Sequence, residues 1–188
     1  IFPETFLSGY PLQDLVLQKT FIRQYHELLQ ALRDLFAKIK LSDKTALLIG
    51  GLRYEFKDNA DIPSNIYNVI YEVTKKSNFN DIYTKCLLPD YDIFDESKYY
   101  TPGSAPCIWS HAGCDFGLLI CEDMWHSEQY AVNPLQMLMD EANGKELNGI
   151  INFSASPWNI DKEEKRIKRA SEISRVFKTP FYYVNKVG

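Results

Sequence analysis

The sequence predicts an α/β fold in which helices pack against sheets. In the second half of the chain, strand-like apolar runs alternate with helix-like segments, an order typical of helices layered on sheets. Hydrophobic residues make up 45% and charged residues 24% of the chain, as in an ordinary globular domain. A length of 188 residues corresponds to about one domain with its own core, and we expect residues 1–188 to form it.

Helices are predicted where apolar residues recur three and four positions apart and where capping residues occur. The first helical segment fits one long helix or two shorter ones. Gly144 suits a left-handed cap at the end of the second segment, and Asp161 suits an N-cap at the start of the third. The predicted helical segments cover residues 12–40, 134–143 and 161–177.

Strands are predicted from short runs of β-branched and aromatic residues bounded by turn residues. Gly50 and Gly51 are expected to interrupt or end the first strand. A turn that includes Asn80 and Asp81 is expected to join the second and third strands as a hairpin. The predicted strands cover residues 45–49, 65–74, 82–88, 106–110, 115–121, 149–154 and 180–184.

Charge and hydropathy exclude two classes of partner. The chain has 21 basic and 25 acidic residues, so it lacks the basic footprint of a nucleic-acid-binding protein. No apolar run approaches the roughly 20 residues that a membrane-spanning helix needs. We therefore expect no nucleic acid and no membrane among its partners.

The termini and the cysteines bear on processing and compartment. The chain begins without Met or a basic export signal and stops directly after a strand-like run, so we expect both ends to be cut points. Cys86, Cys107, Cys114 and Cys121 form no CxxC pair and no zinc-like spacing with the three histidines, so no metal site is expected. The absence of an export signal favours a reducing, cytoplasmic compartment.

Cys121 is the candidate nucleophile of the sequence. It follows the apolar run 117–120 and precedes two acids, Glu122 and Asp123. A buried strand that ends in a cysteine would deliver the thiol to an open loop on a rigid support. Adjacent carboxylates disfavour the thiolate, so a reactive Cys121 needs a cation or a general base from elsewhere in the chain.

Two kinds of group could activate Cys121. His126 begins an H-x-E element, but the glycine elbow of amidotransferases with a Cys-His-Glu triad is missing around the cysteine. Glu4 as a base and Lys85 as a cation are the alternative, since each lies at the end of a strand-like segment. A lone Glu or Lys is nearly always a solvated surface group, so only their combination with Cys121 indicates a site.

Motifs along the whole chain resemble the nitrilase, or carbon-nitrogen hydrolase, superfamily. Within it, the resemblance is greatest to the N-terminal glutaminase domain of glutamine-dependent NAD synthetases. Each motif is short, but their order and spacing are specific. The motifs are FPE at 2–4, SGYPLQDL at 8–15, KCLLPDYDIFDE at 85–96, ICEDMW at 120–125, SASP at 154–157 and YVNKVG at 183–188.

The resemblance implies a fold and a set of catalytic roles. The fold is a four-layer α-β-β-α sandwich, which would be incomplete at the N-terminus in this chain. Glu4 would be the general base, Lys85 the group that stabilises the oxyanion, and Cys121 the nucleophile. Glu96 and Glu122 would support this triad. In this arrangement Lys85 supplies the positive charge that the cysteine and its acidic neighbours need.

The resemblance also implies a substrate and partners. Tyr91, Ser156 and Lys162 match positions that bind L-glutamine, although from the residues alone Lys162 belongs to a solvated, charged helix face. The implied reaction converts glutamine to glutamate and ammonia through a cysteine thioester, with no cofactor. A synthetase domain of the same polypeptide, absent from residues 1–188, would use ATP, magnesium and the ammonia to make NAD from deamido-NAD. A homo-oligomer is also implied.

Two other functions stay open at this point. The chain could be a stand-alone nitrilase-like amidase or carbamoylase that acts on another small amide, or a catalytically silent assembly module. The joint presence of Glu4, Lys85 and Cys121 favours an enzyme over a silent module. Tyr91 and the FDE segment at 94–96 favour glutamine over other amides.

Overall fold

The computed structural model of the protein describes residues 1–58, 60–76, 78–157, 160 and 162–187. A 3-10 turn over Gln13–Leu17 precedes the first helix. The α-helices are α1 (Lys19–Lys38), α2 (Pro134–Ala142) and α3 (Lys162–Phe177). The strands are β1 (Leu47–Glu55), β2 (Asn65–Val73), β3 (Asn78–Thr84), β4 (Ile108–His111), β5 (Cys114–Ile120), β6 (Gly149–Ser154) and β7 (Phe181–Asn185).

The strands form two sheets. In the first sheet β1, β2 and β3 are antiparallel neighbours in that order. In the second sheet β4 pairs antiparallel with β5, whereas β5, β6 and β7 run parallel. Parallel neighbours need crossover connections, and α2 and α3 lie in the connections that join β5 to β6 and β6 to β7.

Three clusters of buried side chains separate the layers. Tyr25 and Leu29 of α1 pack against the first sheet. Leu138 of α2 and Ile173 of α3 pack against the second sheet. The remaining cluster lies between the sheets, so the order of layers is α-β-β-α, as predicted. Its buried members are Leu48, Ile70, Tyr83, Cys86, Leu87, Leu118, Ile120, Ile151 and Phe153.

The first strand differs from its prediction. β1 continues through Gly50 and Gly51, which pair with Ile70 and Val69 of β2, so the prediction that these glycines interrupt or end it was wrong. Gly50 is needed for a close approach rather than for a turn. A Cβ atom at this position would lie 2.2 Å from the Pro3 carbonyl oxygen. The first helical segment divides into the 3-10 turn and the single long helix α1, because Gln18 is extended between them.

The third strand lies earlier in the chain than predicted. It covers Asn78–Thr84 rather than 82–88, and Asn80 and Asp81, which were assigned to the preceding turn, lie within it. The strand ends where it does because the N–H groups of Cys86 and Leu87 donate to the Asp123 carboxylate rather than to a neighbouring strand. The candidate lysine therefore stands at the junction between a strand and a loop.

The ends of two helices were also predicted. At the end of α2 the left-handed conformation begins at Asn143, with φ of 46°, and continues in Gly144, with φ of 80°. The left-handed cap thus starts one residue before the predicted position. The predicted N-cap of α3, Asp161, lies outside the described residues.

The described residues form no membrane-spanning helix, no metal-binding cluster and no disulfide. None of the helices there is both long enough and apolar enough to cross a bilayer. In the same residues, no group of three or more His, Cys, Asp or Glu side chains is arranged to hold a metal ion. The four cysteines are free thiols; Cys86 is buried, and the other three residues are partly exposed.

Candidate active site

Cys121 stands where a strand meets a tight helical turn. β5 ends at Ile120, and a 3-10 turn over Cys121–Trp125 starts at the next residue. Cys121 has φ of 45°, in the left-handed region that few non-glycine residues adopt. Strained backbone of this kind is concentrated at functional sites. The residue as a whole keeps partial exposure, and the end of the buried strand supports its thiol.

Lys85 is a fully buried cation at the end of the first sheet. Its backbone N–H donates to the Asn68 carbonyl oxygen of β2, which fixes the start of the loop. Its ammonium Nζ lies 2.8 Å from Oε1 of Glu4 and 2.8 Å from Oε1 of Glu96. Burial alone would lower the pKa of Lys85, but these two carboxylates raise it well above the ordinary value. The side chain is therefore an ammonium ion at neutral pH.

Glu4 is held by three donors and has no exposed surface. The segment before it joins the first sheet, since Phe2 forms a parallel bridge with Ile49 of β1. Oε1 of Glu4 accepts from Asn68 Nδ2 at 2.8 Å as well as from Lys85. Oε2 accepts from the Ala155 backbone N–H at 2.9 Å. A buried carboxylate with this many donors is satisfied as an anion.

Glu96 forms the other side of the lysine pocket. Its Oε1 accepts from Lys85 and also from the Tyr10 hydroxyl, at 2.7 Å. Burial raises the pKa of Glu96 to about 7; Lys85 opposes this change, and the charge of Glu4 adds to it. Two carboxylates around one ammonium thus share a single positive charge, which disfavours the ionised form of Glu96.

The charged groups act together on the Cys121 thiol. Burial raises the pKa of Cys121 well above its ordinary value, the Glu4 carboxylate raises it further, and the Lys85 ammonium lowers it. The cysteine is therefore a neutral thiol at rest, and it needs a base at the moment of attack. A buried carboxylate and a buried ammonium, both interacting with the sulfur, are suited to taking a proton and stabilising an oxyanion.

Glu122 is held by two tyrosines. Tyr91 donates to its Oε2 at 2.8 Å, and Tyr130 donates to its Oε1 at 3.0 Å. Burial raises the pKa of Glu122, while the two tyrosine hydrogen bonds lower it. The structure therefore brings Tyr91 to Glu122, which directly follows the candidate nucleophile.

Ser156 and Lys162 lie near a cleft beside these groups. The cleft has a volume of about 480 Å³, and its lining includes Tyr10, Phe94 and Ser156. Nζ of Lys162 lies 5.9 Å from the centre of the Phe94 ring. Burial lowers the pKa of Lys162, and its interaction with Cys121 opposes that change. Lys162 is thus electrostatically linked to the candidate nucleophile.

A larger groove lies elsewhere on the molecule. Its volume is about 560 Å³, and it is formed by the end of α1 and the residues that follow β2. None of the candidate site residues belongs to its described lining. We place the site beside the smaller cleft because two residues of its lining bond to the buried carboxylates: Tyr10 donates to Glu96, and the Ala155 N–H donates to Glu4.

Three residues around these groups received no role from the sequence: Tyr10, Asn68 and Tyr130. Asn68 carries a usable signal, because it lies two residues before Ile70 on the β2 face that packs between the sheets. A polar residue on a buried face of a strand needs a hydrogen-bond partner, and the partner of Asn68 is Glu4. Tyr10 and Tyr130 lie in irregular segments, where no periodic pattern indicates which way a side chain points.

Curated relatives of the chain are glutamine-dependent NAD(+) synthetases. The one from Synechocystis sp. is 32% identical across 99% of this chain and 33% of its own length. The one from Thermotoga maritima is 30% identical across 100% of this chain and 29% of its own length. The chain thus spans about a third of the length of the curated relatives it matches.

Solved structures show the same fold. The glutamine-dependent NAD+ synthetase from Acinetobacter baumannii, in complex with ADP, matches with a TM-score of 0.77 and 24% identity, over 100% of this chain and 31% of that one. A mutant amidase from Nesterenkonia sp. AN1, which carries acrylamide added at its active-site cysteine, matches with a TM-score of 0.65 and 17% identity, over 98% of this chain and 63% of that one.

The family follows from a direct match to the sequence. A family model described as carbon-nitrogen hydrolase matches residues 1–137 of the 188. This match contains Glu4, Lys85, Glu96 and Cys121 and covers well over half of the chain. The chain belongs to the carbon-nitrogen hydrolase family.

Proposed function

We propose that this chain hydrolyses the side-chain amide of L-glutamine to glutamate and ammonia through Cys121. The observation that carries the proposal is the Lys85 ammonium, which is buried between Glu4 and Glu96 and interacts with the cysteine sulfur. The names of the curated relatives support glutamine as the substrate. The acrylamide-modified cysteine of the Nesterenkonia amidase supports a nucleophilic cysteine on this fold.

The first step forms the carbon–sulfur bond. Glu4 takes the thiol proton while the sulfur of Cys121 attacks the amide carbon of the substrate. The carbonyl oxygen becomes an oxyanion, which the Lys85 ammonium and the backbone N–H of Glu122 stabilise. One such preorganised donor is commonly worth about 2.7–4 kcal/mol of transition-state stabilisation.

The second step releases ammonia and leaves a thioester. The protonated Glu4 carboxyl gives its proton to the amide nitrogen as the carbon–nitrogen bond breaks. The electron pair of the oxyanion re-forms the carbonyl, so ammonia leaves and a γ-glutamyl thioester of Cys121 remains. Glu4 is then again a carboxylate, held by Asn68 and the Ala155 N–H.

The third step hydrolyses the thioester. Glu4 takes a proton from a water molecule, and the resulting hydroxide attacks the thioester carbon. Lys85 stabilises the second oxyanion as it stabilised the first. When the carbon–sulfur bond breaks, the sulfur recovers its proton from Glu4, and glutamate is released. No metal ion or redox cofactor is required at any step.

Substrate recognition is assigned to the residues around the cleft. Glutamine carries an α-carboxylate and an α-ammonium besides its reactive amide. We assign the carboxylate to Lys162, whose interaction with Cys121 supports a position near the reacting amide. Tyr91 and Ser156 contribute hydroxyl groups near Glu122 and the cleft, respectively. Glu122 and Glu96 support the site through their tyrosine and lysine partners.

The relatives also support a proposal for the fate of the ammonia. They are about three times as long as this chain and are named as NAD(+) synthetases. We propose that the ammonia supplies a synthetase domain of the same polypeptide, which uses ATP and magnesium to convert deamido-NAD to NAD. The homo-oligomeric state and the cytoplasmic location remain predictions from the sequence.

The test is Cys121→Ala in the intact protein, assayed with glutamine and with ammonium chloride as nitrogen sources. We expect glutamine-supported NAD synthesis to fall by at least about 10³-fold, while ammonia-supported synthesis is retained. Cys114→Ala is the control, since Cys114 lies at the far end of β5 from the site. Equal loss with both nitrogen sources would contradict the role of Cys121.

A substrate screen separates the alternatives. Faster hydrolysis of a simple amide or an N-carbamoyl compound than of glutamine would favour a stand-alone amidase or carbamoylase. Iodoacetamide should form an adduct at Cys121 in the intact protein. Absence of that adduct, together with no hydrolysis of any amide, would indicate a catalytically silent assembly module.

A further inference from the structure

Asp123 is a fully buried carboxylate whose oxygens accept four hydrogen bonds. Oδ1 accepts from the backbone N–H groups of Cys86, at 3.0 Å, and Leu87, at 2.8 Å. Oδ2 accepts from the Tyr83 hydroxyl, at 2.8 Å, and the Ile120 backbone N–H, at 2.9 Å. A carboxylate has about four acceptor positions, so this one is fully occupied.

The four donors come from two separate chain segments. Tyr83, Cys86 and Leu87 flank Lys85 at the end of the first sheet. Ile120 is the last residue of β5 in the second sheet and directly precedes Cys121. One side chain thus bonds to the segment that carries the ammonium and to the segment that carries the thiol.

Other directional bonds also join the two halves of the sandwich: Glu4 accepts from Asn68 and the Ala155 N–H, Trp109 donates to Glu72, and Tyr91 donates to Glu122. Asp123 differs from these because its partners directly adjoin both Lys85 and Cys121. The sheets share no strand pairing among the described residues, and the cluster between them is apolar apart from Tyr83 and Cys86. Apolar packing is non-directional, so it holds two surfaces together without defining their relative position as hydrogen bonds do. Asp123 adds directional bonds to the backbone next to each reactive group, from Cys86 beside Lys85 and from Ile120 beside Cys121.

We propose that Asp123 is a positioning residue that sets the distance between the Lys85 ammonium and the Cys121 thiol. The bond from the Ile120 N–H also fixes the backbone directly before Cys121, which adopts the left-handed conformation. The proposal rests on the proposed function, in which Lys85 must reach the oxyanion formed at Cys121. A misplacement of about 1 Å in a catalytic group can cost on the order of 100-fold in rate.

The variant that tests this is Asp123→Asn, because it keeps the shape of the side chain and changes its bonding. An amide has one accepting oxygen, so either the Ile120 N–H or the pair from Cys86 and Leu87 faces a donor. The loss of the charge and the loss of correct positioning predict opposite changes in the rate at which the Cys121 thiol is alkylated. Removal of a negative charge near the thiol would favour the thiolate and speed alkylation, whereas a displaced thiol and ammonium would slow it.

Two further variants separate positioning from loss of stability. Leu29→Ala opens a cavity in the cluster between α1 and the first sheet, away from the site. It serves as a control whose melting temperature should fall about as much as that of Asp123→Asn. Tyr83→Phe removes one of the four bonds and leaves the backbone bonds in place. Tyr83→Phe also tests the positioning role of Asp123 if the Asp123→Asn variant does not fold.

The experiment measures glutamine hydrolysis and iodoacetamide labelling of Cys121 relative to Cys114 in the intact protein. We expect Asp123→Asn to lower kcat by 10-fold to 100-fold, to change KM by less than about threefold, and to slow labelling of Cys121. Tyr83→Phe should give a smaller loss in the same direction. Leu29→Ala should keep kcat and the labelling ratio.

Three results would overturn the proposal: faster labelling of Asp123→Asn, unchanged labelling in a folded Asp123→Asn or in Tyr83→Phe, or equal losses in Leu29→Ala. Failure of the proposed function is recognised separately, because the wild-type protein would then not hydrolyse glutamine. The labelling comparison needs no substrate, so it decides the role of Asp123 in that case as well.

Discussion

Lys85 and Glu4 form an ion pair with an Nζ–Oε1 distance of 2.8 Å, and neither side chain has any exposed surface. Burial of two charges is costly unless further hydrogen bonds satisfy them. Here Glu96 accepts a second bond from the ammonium, and Asn68 and Ala155 donate to the carboxylate. The pair is therefore stable as ions, and the charges needed for the proposed chemistry are present before substrate binds.

Removal of the buried cation should destabilise the fold as well as abolish hydrolysis. Lys85→Met leaves Glu4 and Glu96 close together without their shared ammonium, and we expect a loss of about 3–5 kcal/mol in the free energy of unfolding. Lys75→Met is the control, because Lys75 pairs with Asp43 on the surface and should cost no more than about 1 kcal/mol. Urea unfolding measures both values, and similar losses would contradict the prediction.

Glu96 should make stability fall as the pH rises from about 4.5 to 7. Its pKa in the folded protein is about 7, above the ordinary value of 4.5, so the folded state holds the proton more tightly than the unfolded chain. The resulting stabilisation is complete below the unfolded pKa and is lost as the pH passes the folded one. Over this range the loss is about 2–3 kcal/mol.

Glu96→Gln removes this titrating group, so the free energy of unfolding should decline less as the pH rises. Urea unfolding at pH 5 and pH 7.5 measures it, with the exposed Glu146→Gln as control. Burial also raises the pKa values of Glu122 and Asp123, so some decline should persist in the variant. A decline in Glu96→Gln as steep as in the wild-type protein would show that Glu96 does not titrate in this range.

Gly50→Ala should reduce glutamine hydrolysis more than Gly51→Ala does. The added Cβ would lie 2.2 Å from the Pro3 oxygen and 2.8 Å from Cα of Glu4, so the backbone that carries the proposed base must move. Gly51→Ala is the matched control, because its Cβ meets the Tyr25 and Tyr71 side chains instead. Both variants should melt at lower temperature, but the loss of glutamine hydrolysis should be at least about 10-fold larger for Gly50→Ala. Equal activity losses would refute this assignment.

Asn68→Leu should slow hydrolysis without a large change in substrate affinity. The amide of Asn68 donates to Oε1 of Glu4, and a hydrogen bond to a charged group is worth about 1.5–3 kcal/mol. We therefore expect kcat to fall roughly 10-fold to 100-fold while KM changes little. Asn65, three residues earlier on the same strand, donates to Glu55 rather than to the site, so Asn65→Leu should leave kcat unchanged. A rise in KM with normal kcat would mean that Asn68 acts on substrate binding.

The layered fold was predictable because it depends on local sequence patterns. Alternating apolar runs and helical segments were enough to predict the strands from β4 to β7 and the crossover helices between the parallel ones. β1 could not be bounded in this way. Two consecutive glycines usually end a strand, and only the approach of Pro3 across the sheet explains why Gly50 lies inside one.

The candidate triad came from the ordered motifs, whereas its surroundings did not. Glu4, Lys85 and Cys121 are far apart in the chain, and the contacts of the fold bring them together electrostatically. Asn68 and Asp123 act through their positions in three dimensions. Their partners lie 64 and up to 40 positions away in the sequence, too far for any local pattern to pair them.

The two oxygens of Glu4 are bonded to different halves of the sandwich. Asn68 of the first sheet holds one oxygen, and the N–H of Ala155, just beyond β6 of the second sheet, holds the other. Slight opening of the sandwich would therefore separate the base from one of its supports while every helix and strand remained intact. The proposed hydrolysis would thus depend on closure of the sandwich and should disappear in mild denaturant before the circular dichroism of the protein changes.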